Sequence, residues 1–222
     1  MTIEMRIAIE NIGEVSALSV RPPRAQCLLV LAHGAGAGMR HPFMETVASD
    51  LAATGVATLR YQFPYMEQRR RVPDPPRVLT ATVRAAVRTA REAFPDLPLL
   101  AGGKSLGARM TSTAAAEEPL EGARGLVFFG FPLHPPGKPG TKRADHLVKV
   151  SAPMLFLQGT RDAFADLALL RPIVENLGAK ATLHVVDTAD HSFRVLKSSG
   201  RSDSEVLHEL AQTVGSWAKT LS

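Results

Sequence analysis

A chain of 222 residues is long enough for one α/β domain with a sizeable core. Its 26 Lys and Arg against 21 Asp and Glu leave a formal charge of +5, but the basic residues are scattered and aromatic residues few. That argues against a nucleic-acid surface, which needs a clustered basic stripe, and for a solvated basic one. Cys27 is the one cysteine, which excludes an intrachain disulfide and a cysteine-built metal site.

Along the chain, Ile3, Met5, Ile7 and Ile9 alternate, and a second strand-like run, 15–20, follows a turn at 11–13. The pair predicts an N-terminal antiparallel hairpin. The same stretch mixes charged and apolar residues without the uninterrupted apolar core of a signal peptide, and no apolar run approaches a membrane span, so the expectation is a cytoplasmic protein without a membrane partner. Continuous apolar runs follow at 27–32, 56–59, 97–101, 126–131, 154–157 and 183–186. Such runs are strands buried on both faces.

Between the strands the period is helical. Met44, Val47, Ala48 and Leu51 share a face, with Pro42 at the start and Gly55 at the end. Leu79, Val83, Ala86 and Ala90 repeat the pattern, Arg84, Arg88 and Arg91 sharing a face read as solvated. Val206, Leu210, Val214 and Trp217 form the last stripe. Strand alternating with helix after a hairpin predicts one domain over 1–222, with a mostly parallel central sheet, helices on both faces and antiparallel strands at one edge. Two Pro-rich basic segments, 62–77 and 133–149, stay irregular, and 131–153 is too short for a large lid.

The stretch L-P-L-L-A-G-G-K-S-L-G-A-R, 97–109, has two readings. A phosphate-binding loop, G-x-x-x-x-G-K-S, needs glycine at position 98, where Pro98 supplies no N–H. A nucleophile elbow, G-x-S-x-G, needs a strand before it and a helix after it, which is the context at Ser105. The glycine run H-G-A-G-A-G-M, 33–39, has Met39 at the last glycine of a dinucleotide fingerprint and no acid at the matching strand end, so it reads as an oxyanion loop. A serine nucleophile needs a base and an acid that orients it, in the chain order Ser, acid, His. Asp162 follows the strand 154–157, with Asp166 as its competitor. His191 lies in D-T-A-D-H-S-F, before the last helix. Helix capping by Ser105 is the structural alternative. His33 reads as a residue that bonds its own loop and His184 as structural, and no histidine pair has metal-ligand spacing.

These residues carry a resemblance. H-G-A-G-A-G, G-K-S-L-G, L-Q-G-T-R-D and A-D-H-S-F look like the α/β-hydrolase superfamily over nearly the whole chain. L-A-H-G-A-G-A-G-M, R-Y-Q-F-P-Y-M-E, P-D-P-P and G-G-K-S-L-G-A-R-M resemble, more narrowly, the compact dienelactone-hydrolase-like branch of predicted hydrolases that includes a scaffold subunit of the NSL histone acetyltransferase complex. The resemblance implies an α/β-hydrolase fold with Ser105 as nucleophile, His191 as base, Asp162 as orienting acid, and the backbone N–H groups of Ala35 and Leu106 as oxyanion hole. Dienelactone hydrolases use a cysteine where this chain has Ser105.

The expected activity is therefore that of a serine hydrolase on an ester or related acyl bond of a small molecule, needing no cofactor or metal. The alternative is an interaction module that keeps the fold without catalysis. An unperturbed histidine base predicts a rate that rises through pH ~6 to 7. Arg69, Arg70 and Arg71 on the first irregular loop, Lys138, Lys142 and Arg143 on the second, and Lys104 beside the nucleophile are candidates for a basic rim that favours anionic acyl substrates. Solvated loops are the competing reading of these charges.

Overall fold

The computed structural model describes residues 2–221. Strands β1 (Thr2–Ile9) and β2 (Gly13–Val20) form the hairpin, paired from Thr2 opposite Val20 to Ile9 opposite Gly13. Asn11 and Gly13 take positive φ in its turn, a conformation open to these two residue types. The hairpin joins the main sheet through β2, antiparallel to β4 (Val56–Tyr61). From there every pairing is parallel, through β3 (Cys27–Ala32), β5 (Leu99–Lys104), β6 (Ala123–Phe129), β7 (Met154–Gly159) and β8 (Ala181–Val186). The spatial order is β1-β2-β4-β3-β5-β6-β7-β8, an eight-stranded sheet that is mostly parallel with an antiparallel hairpin at one edge.

Two apolar layers cover the sheet. Helices α1 (Pro42–Ala53) and α6 (Asp203–Ala218) pack Met44, Val47, Leu51, Val206, Leu210 and Val214 on one face. On the other, α3 (Pro76–Ala93), α4 (Leu106–Glu117) and α5 (Leu167–Leu177) bury residues such as Val83, Ala86, Ala108 and Leu170; the single-turn α2 (Pro64–Glu67) lies before α3. Because both faces are covered, the central strands are mostly apolar, which is why they read as near-continuous runs; buried polar exceptions include Thr58, Arg60, Lys104 and Gln158.

The structure departs from the sequence reading in places with physical causes. β5 begins at Leu99 because Pro98 has no N–H to give; its carbonyl instead accepts from the Leu28 N–H at 2.9 Å. β4 and β5 run on to Tyr61 and Lys104, so the first elbow glycine, Gly103, lies within a strand, while Gly107 lies in the first turn of α4. Helix α5 holds Pro172 in its interior, which breaks the sequence signal without breaking the helix. The second irregular segment contains a 3₁₀ stretch, Lys142–Lys149, whose Ala144 and Leu147 are buried; the β6–β7 connection thus packs down on the body and forms no lid. Arg84 is not a solvated charge: its guanidinium donates to the Ala114 and Glu118 carbonyls, at 2.5 and 3.1 Å, and satisfies the end of α4. Arg88 is exposed, and Arg91 pairs with Glu121.

Candidate active site

Ser105 stands alone between the last residue of β5 and the first of α4, at φ 53° and ψ −111°. A non-glycine residue holds such a conformation only where its surroundings enforce it. Gly103 and Gly107 make the turn possible. A Cβ at Gly103 would lie 2.6 Å from the Gly107 carbonyl carbon, and one at Gly107 would lie 2.5 Å from the Ala32 oxygen, so strand, helix and β3 meet at distances no side chain allows. Ser105 N–H donates to Phe129 O and its carbonyl accepts from Arg109 N–H, both at 3.1 Å. Its hydroxyl caps nothing on α4.

The hydroxyl instead meets His191 Nε2 at 2.8 Å, and His191 Nδ1 meets Asp162 Oδ2 at 2.7 Å. A carboxylate can only accept, so Nδ1 carries the proton and Nε2 is left to accept from the serine O–H. Asp162 hangs from the loop after β7 with its side chain fully enclosed. Gln158 Nε2 donates to Oδ2 at 2.5 Å and Phe164 N–H to Oδ1 at 2.8 Å, while Gln158 Oε1 takes the Phe131 N–H. His191 sits in the loop after β8, which Asp190 shapes by accepting from the Ser192 and Arg194 N–H groups and Phe193 anchors in the α1/α6 layer. Phe164 lies against the imidazole, ring centroids 4.3 Å apart. Burial holds the His191 pKa below the ordinary histidine value; the bond to Asp162 opposes this, and the charge of Lys104 adds to it.

The glycine run after β3 passes directly over the elbow, since a Cβ at Gly34 would lie 3.5 Å from Lys104 O and 3.7 Å from Ser105 Cβ. Among the described residues neither the Ala35 nor the Leu106 N–H donates to a protein acceptor. The run is held from beneath: His33 Nδ1 donates to Gly34 O at 2.8 Å and its Nε2 accepts from Phe63 N–H at 3.0 Å. With both nitrogens committed and burial pushing its pKa down to about 4, His33 stays neutral and unavailable as a base. Arg60 donates to Met39 O at 3.1 Å and Gln62 Oε1 accepts from Met39 N–H at 2.8 Å.

The sequence competitors have other partners. Asp166 caps α5 through Ala168 N–H at 2.8 Å and gives its own N–H to His134. His41 caps α1, and His184 pairs with Glu209 at 2.6 Å. A second serine–histidine pair, Ser112 with His146 at 2.7 Å, lacks a carboxylate on the other ring nitrogen among the described residues. Ser112 is also fully buried within α4, with its hydroxyl on Arg109 O. No group of three or more His, Cys, Asp or Glu side chains among the described residues could hold a metal ion.

The candidate basic rim is rearranged. Lys104 is 9% exposed and its ammonium donates to the His191 carbonyl at 2.6 Å, beneath the histidine loop and not on the rim. Arg70 pairs with Asp74 and Gln68 in a groove beside Asn11 at the hairpin tip, on the opposite side of β4 and β3 from β5. Arg69 and Arg71 are exposed. The sequence reading passed over Arg109, one helical turn after Ser105. It is half-buried, its Nε is enclosed without a hydrogen-bond partner, and the charge that presses on it is Arg143, from the 3₁₀ stretch. Gln158 was missed too, although a glutamine inside an apolar strand was a visible signal.

A family model described as an alpha/beta hydrolase domain matches residues 25–219, and the chain belongs to that family. Among solved structures it is similar to a dienelactone hydrolase from Anabaena variabilis, at 22% identity and TM-score 0.78, over 100% of this chain and 98% of that one. It is similar also to XC6422 from Xanthomonas campestris, described as an α/β serine hydrolase without lid, at 20% identity and TM-score 0.75, over 97% and 94% of the two chains. The esterase domain of a Rhodothermus marinus protein matches at 16% identity and TM-score 0.74, over 99% and 98%. At these identities the structures establish the fold; with the family they support a hydrolase. The family model carries the α/β-hydrolase superfamily. No helix among the described residues is long and apolar enough to cross a membrane.

Proposed function

We propose that the protein hydrolyses an ester or related acyl bond with Ser105 as nucleophile, His191 as general base and acid, and Asp162 as orienting acid. The observation that carries this reading is the unbroken chain from Ser105 Oγ through His191 to an enclosed Asp162, at 2.8 and 2.7 Å, on a strained elbow. In the forward step Ser105 Oγ bonds to the acyl carbon as its proton passes to His191 Nε2. The imidazolium then protonates the departing alcohol or thiol, leaving an acyl-serine. Water, deprotonated by the same nitrogen, attacks that ester and restores Ser105. The free N–H groups of Ala35 and Leu106 would receive the oxyanion, each donor contributing roughly 3 kcal/mol to the transition state. A non-catalytic module has no use for a strained serine aligned with a buried carboxylate, which weighs against the interaction-module alternative.

A panel of p-nitrophenyl esters and thioesters of graded chain length, run with wild type and Ser105→Ala, tests the reading. It predicts turnover of at least one class by wild type and none above background by the variant. The pH profile is a second check. Neutral His191 is the active form, and burial lowers its pKa, so the acid limb of kcat/KM lies below the ordinary value of 6.5 and not at or above it. Asp162→Asn removes an interaction that favours imidazolium, so the limb should move lower still. An acid limb above 6.5 in wild type would contradict the electrostatics of the site.

The side chains also support a preference for acyl substrates that carry a carboxylate or phosphate, through Arg109 and Arg143 and not through 69–71. Side chains on a helix lean toward its N-terminus, so Arg109 leans toward the turn that holds Ser105. No carboxylate pairs with it or with Arg143 among the described residues. Two half-buried like charges repel, and an anion between them removes the repulsion. Arg109→Gln should lower the kcat/KM ratio of a carboxylated to a neutral ester of equal length roughly tenfold, the scale of one charge-assisted hydrogen bond. Replacing Arg69, Arg70 and Arg71 together by Ala should leave that ratio unchanged, and the reverse result would return the rim to 69–71.

A further inference from the structure

Lys104 is a lysine buried at the centre of the site with no place in the steps above. It is the last residue of β5, and its ammonium reaches into the layer beneath the histidine loop. There it lies 5.7 Å from the ring centroid of Phe43, on α1, and 5.6 Å from that of Phe193, two residues past His191. Its hydrogen bond goes to the backbone carbonyl of His191 itself. Gly130 marks how tightly these groups gather. A Cβ there would lie 3.0 Å from Lys104 Nζ and 3.4 Å from both Asp162 Oδ2 and His191 Nδ1, so ammonium, carboxylate and imidazole surround one point.

A buried ammonium is costly unless other groups compensate it. Here two aromatic faces and one carbonyl solvate it, while Asp162 and Asp190 favour its charge. A neutral methionine would fill similar space without that cost, so the cation is informative. Burial still dominates and pushes the Lys104 pKa down to about 8, which leaves it charged at neutral pH.

Building on the proposed roles of Ser105 and His191, we infer that Lys104 is a positioning residue, whose ammonium clamps the His191 carbonyl and whose charge keeps the imidazole in the neutral form that accepts the serine proton. The charged groups that face His191 are then Asp162 from the β7 loop, Asp190 from its own loop and Lys104 from β5, and only Lys104 favours the neutral ring. The effect has a definite sign. The two aspartates draw a proton onto the ring, and the lysine opposes them across the same few ångströms.

The test reads the ring directly. His191 is titrated by NMR in wild type, Lys104→Met and Lys104→Gln, beside the pH profile of kcat/KM. Met removes both charge and hydrogen bond, whereas Gln removes the charge but can still donate to the His191 carbonyl. Both variants should raise the His191 pKa by about one unit, the scale of a single neighbouring charge in a protein interior. The acid limb should rise with it, and Met should lower kcat more than Gln while KM holds. A His191 pKa unmoved in both variants would overturn the inference and leave Lys104 as packing. So would a rise in Met alone, because a purely structural role spares the variant that keeps the hydrogen bond. The titration needs no turnover, so the inference and the hydrolase reading fail separately: the second falls if Ser105→Ala keeps wild-type activity.

Discussion

Ser105→Ala and His191→Ala should each lower kcat on an accepted ester by on the order of 10⁴ to 10⁶, and the double variant should be scarcely worse than either. Both losses are expected to be large because the proposed nucleophile and base would act as one device. Without the imidazole the serine O–H keeps its proton at neutral pH, and without the serine the imidazole has no positioned nucleophile to activate. A residual rate above the uncatalysed one is expected, since the Ala35 and Leu106 N–H groups remain to stabilise an oxyanion formed by water. Stopped assays on correctly folded variants, checked by matched denaturation midpoints, make the comparison. Additive losses would mean that the two residues act independently.

Asp162→Asn should lower kcat by roughly 10⁴, less than loss of Ser105. The asparagine can donate to Nδ1, which turns the imidazole to the tautomer with its proton on Nε2, where it can no longer accept from Ser105. Phe164 N–H still finds an oxygen, whereas Gln158 Nε2, which shares Oδ2 with the imidazole, loses its acceptor, so the comparison is made at matched denaturation midpoints. Asp166→Asn is the matched control. It removes a charge four residues away but spares the His191 bond, and asparagine caps a helix nearly as well as aspartate, so activity should hold near wild type. If Asp166→Asn is the damaging change, the acid has been assigned one helical turn too early.

Much of this was legible in the sequence for a specific reason. The central strands are buried on both faces and therefore announce themselves as apolar runs. The strain at Ser105 demands small neighbours, so Gly103 and Gly107 announce the turn. Asp162 and His191 follow from chain order, because parallel strands deliver every following loop to the same edge. What stayed hidden depends on direction. Lys104 and Ser105 are adjacent, and only the strand pleat and the elbow's φ of 53° send one hydroxyl to the His191 imidazole and one ammonium to its carbonyl. Composition placed Arg70 in a basic loop but could not show it turned to Asp74 at the hairpin tip. Arg109 looked like any helical arginine, since nothing in a sequence reports a missing carboxylate. Helix α5 was lost to Pro172, a residue whose local signal was outweighed by apolar packing at Leu170, Val174 and Leu177.

The most direct test of the central claim is to treat the folded protein with a fluorophosphonate and locate the adduct by peptide mass mapping. Only a hydroxyl activated by a neighbouring base attacks such a phosphorus centre quickly at neutral pH. A single adduct on the peptide containing Ser105, lost in His191→Ala and Ser105→Ala, is the predicted result. Labelling at Ser112, or no labelling of wild type under conditions that modify a known serine esterase, would contradict it.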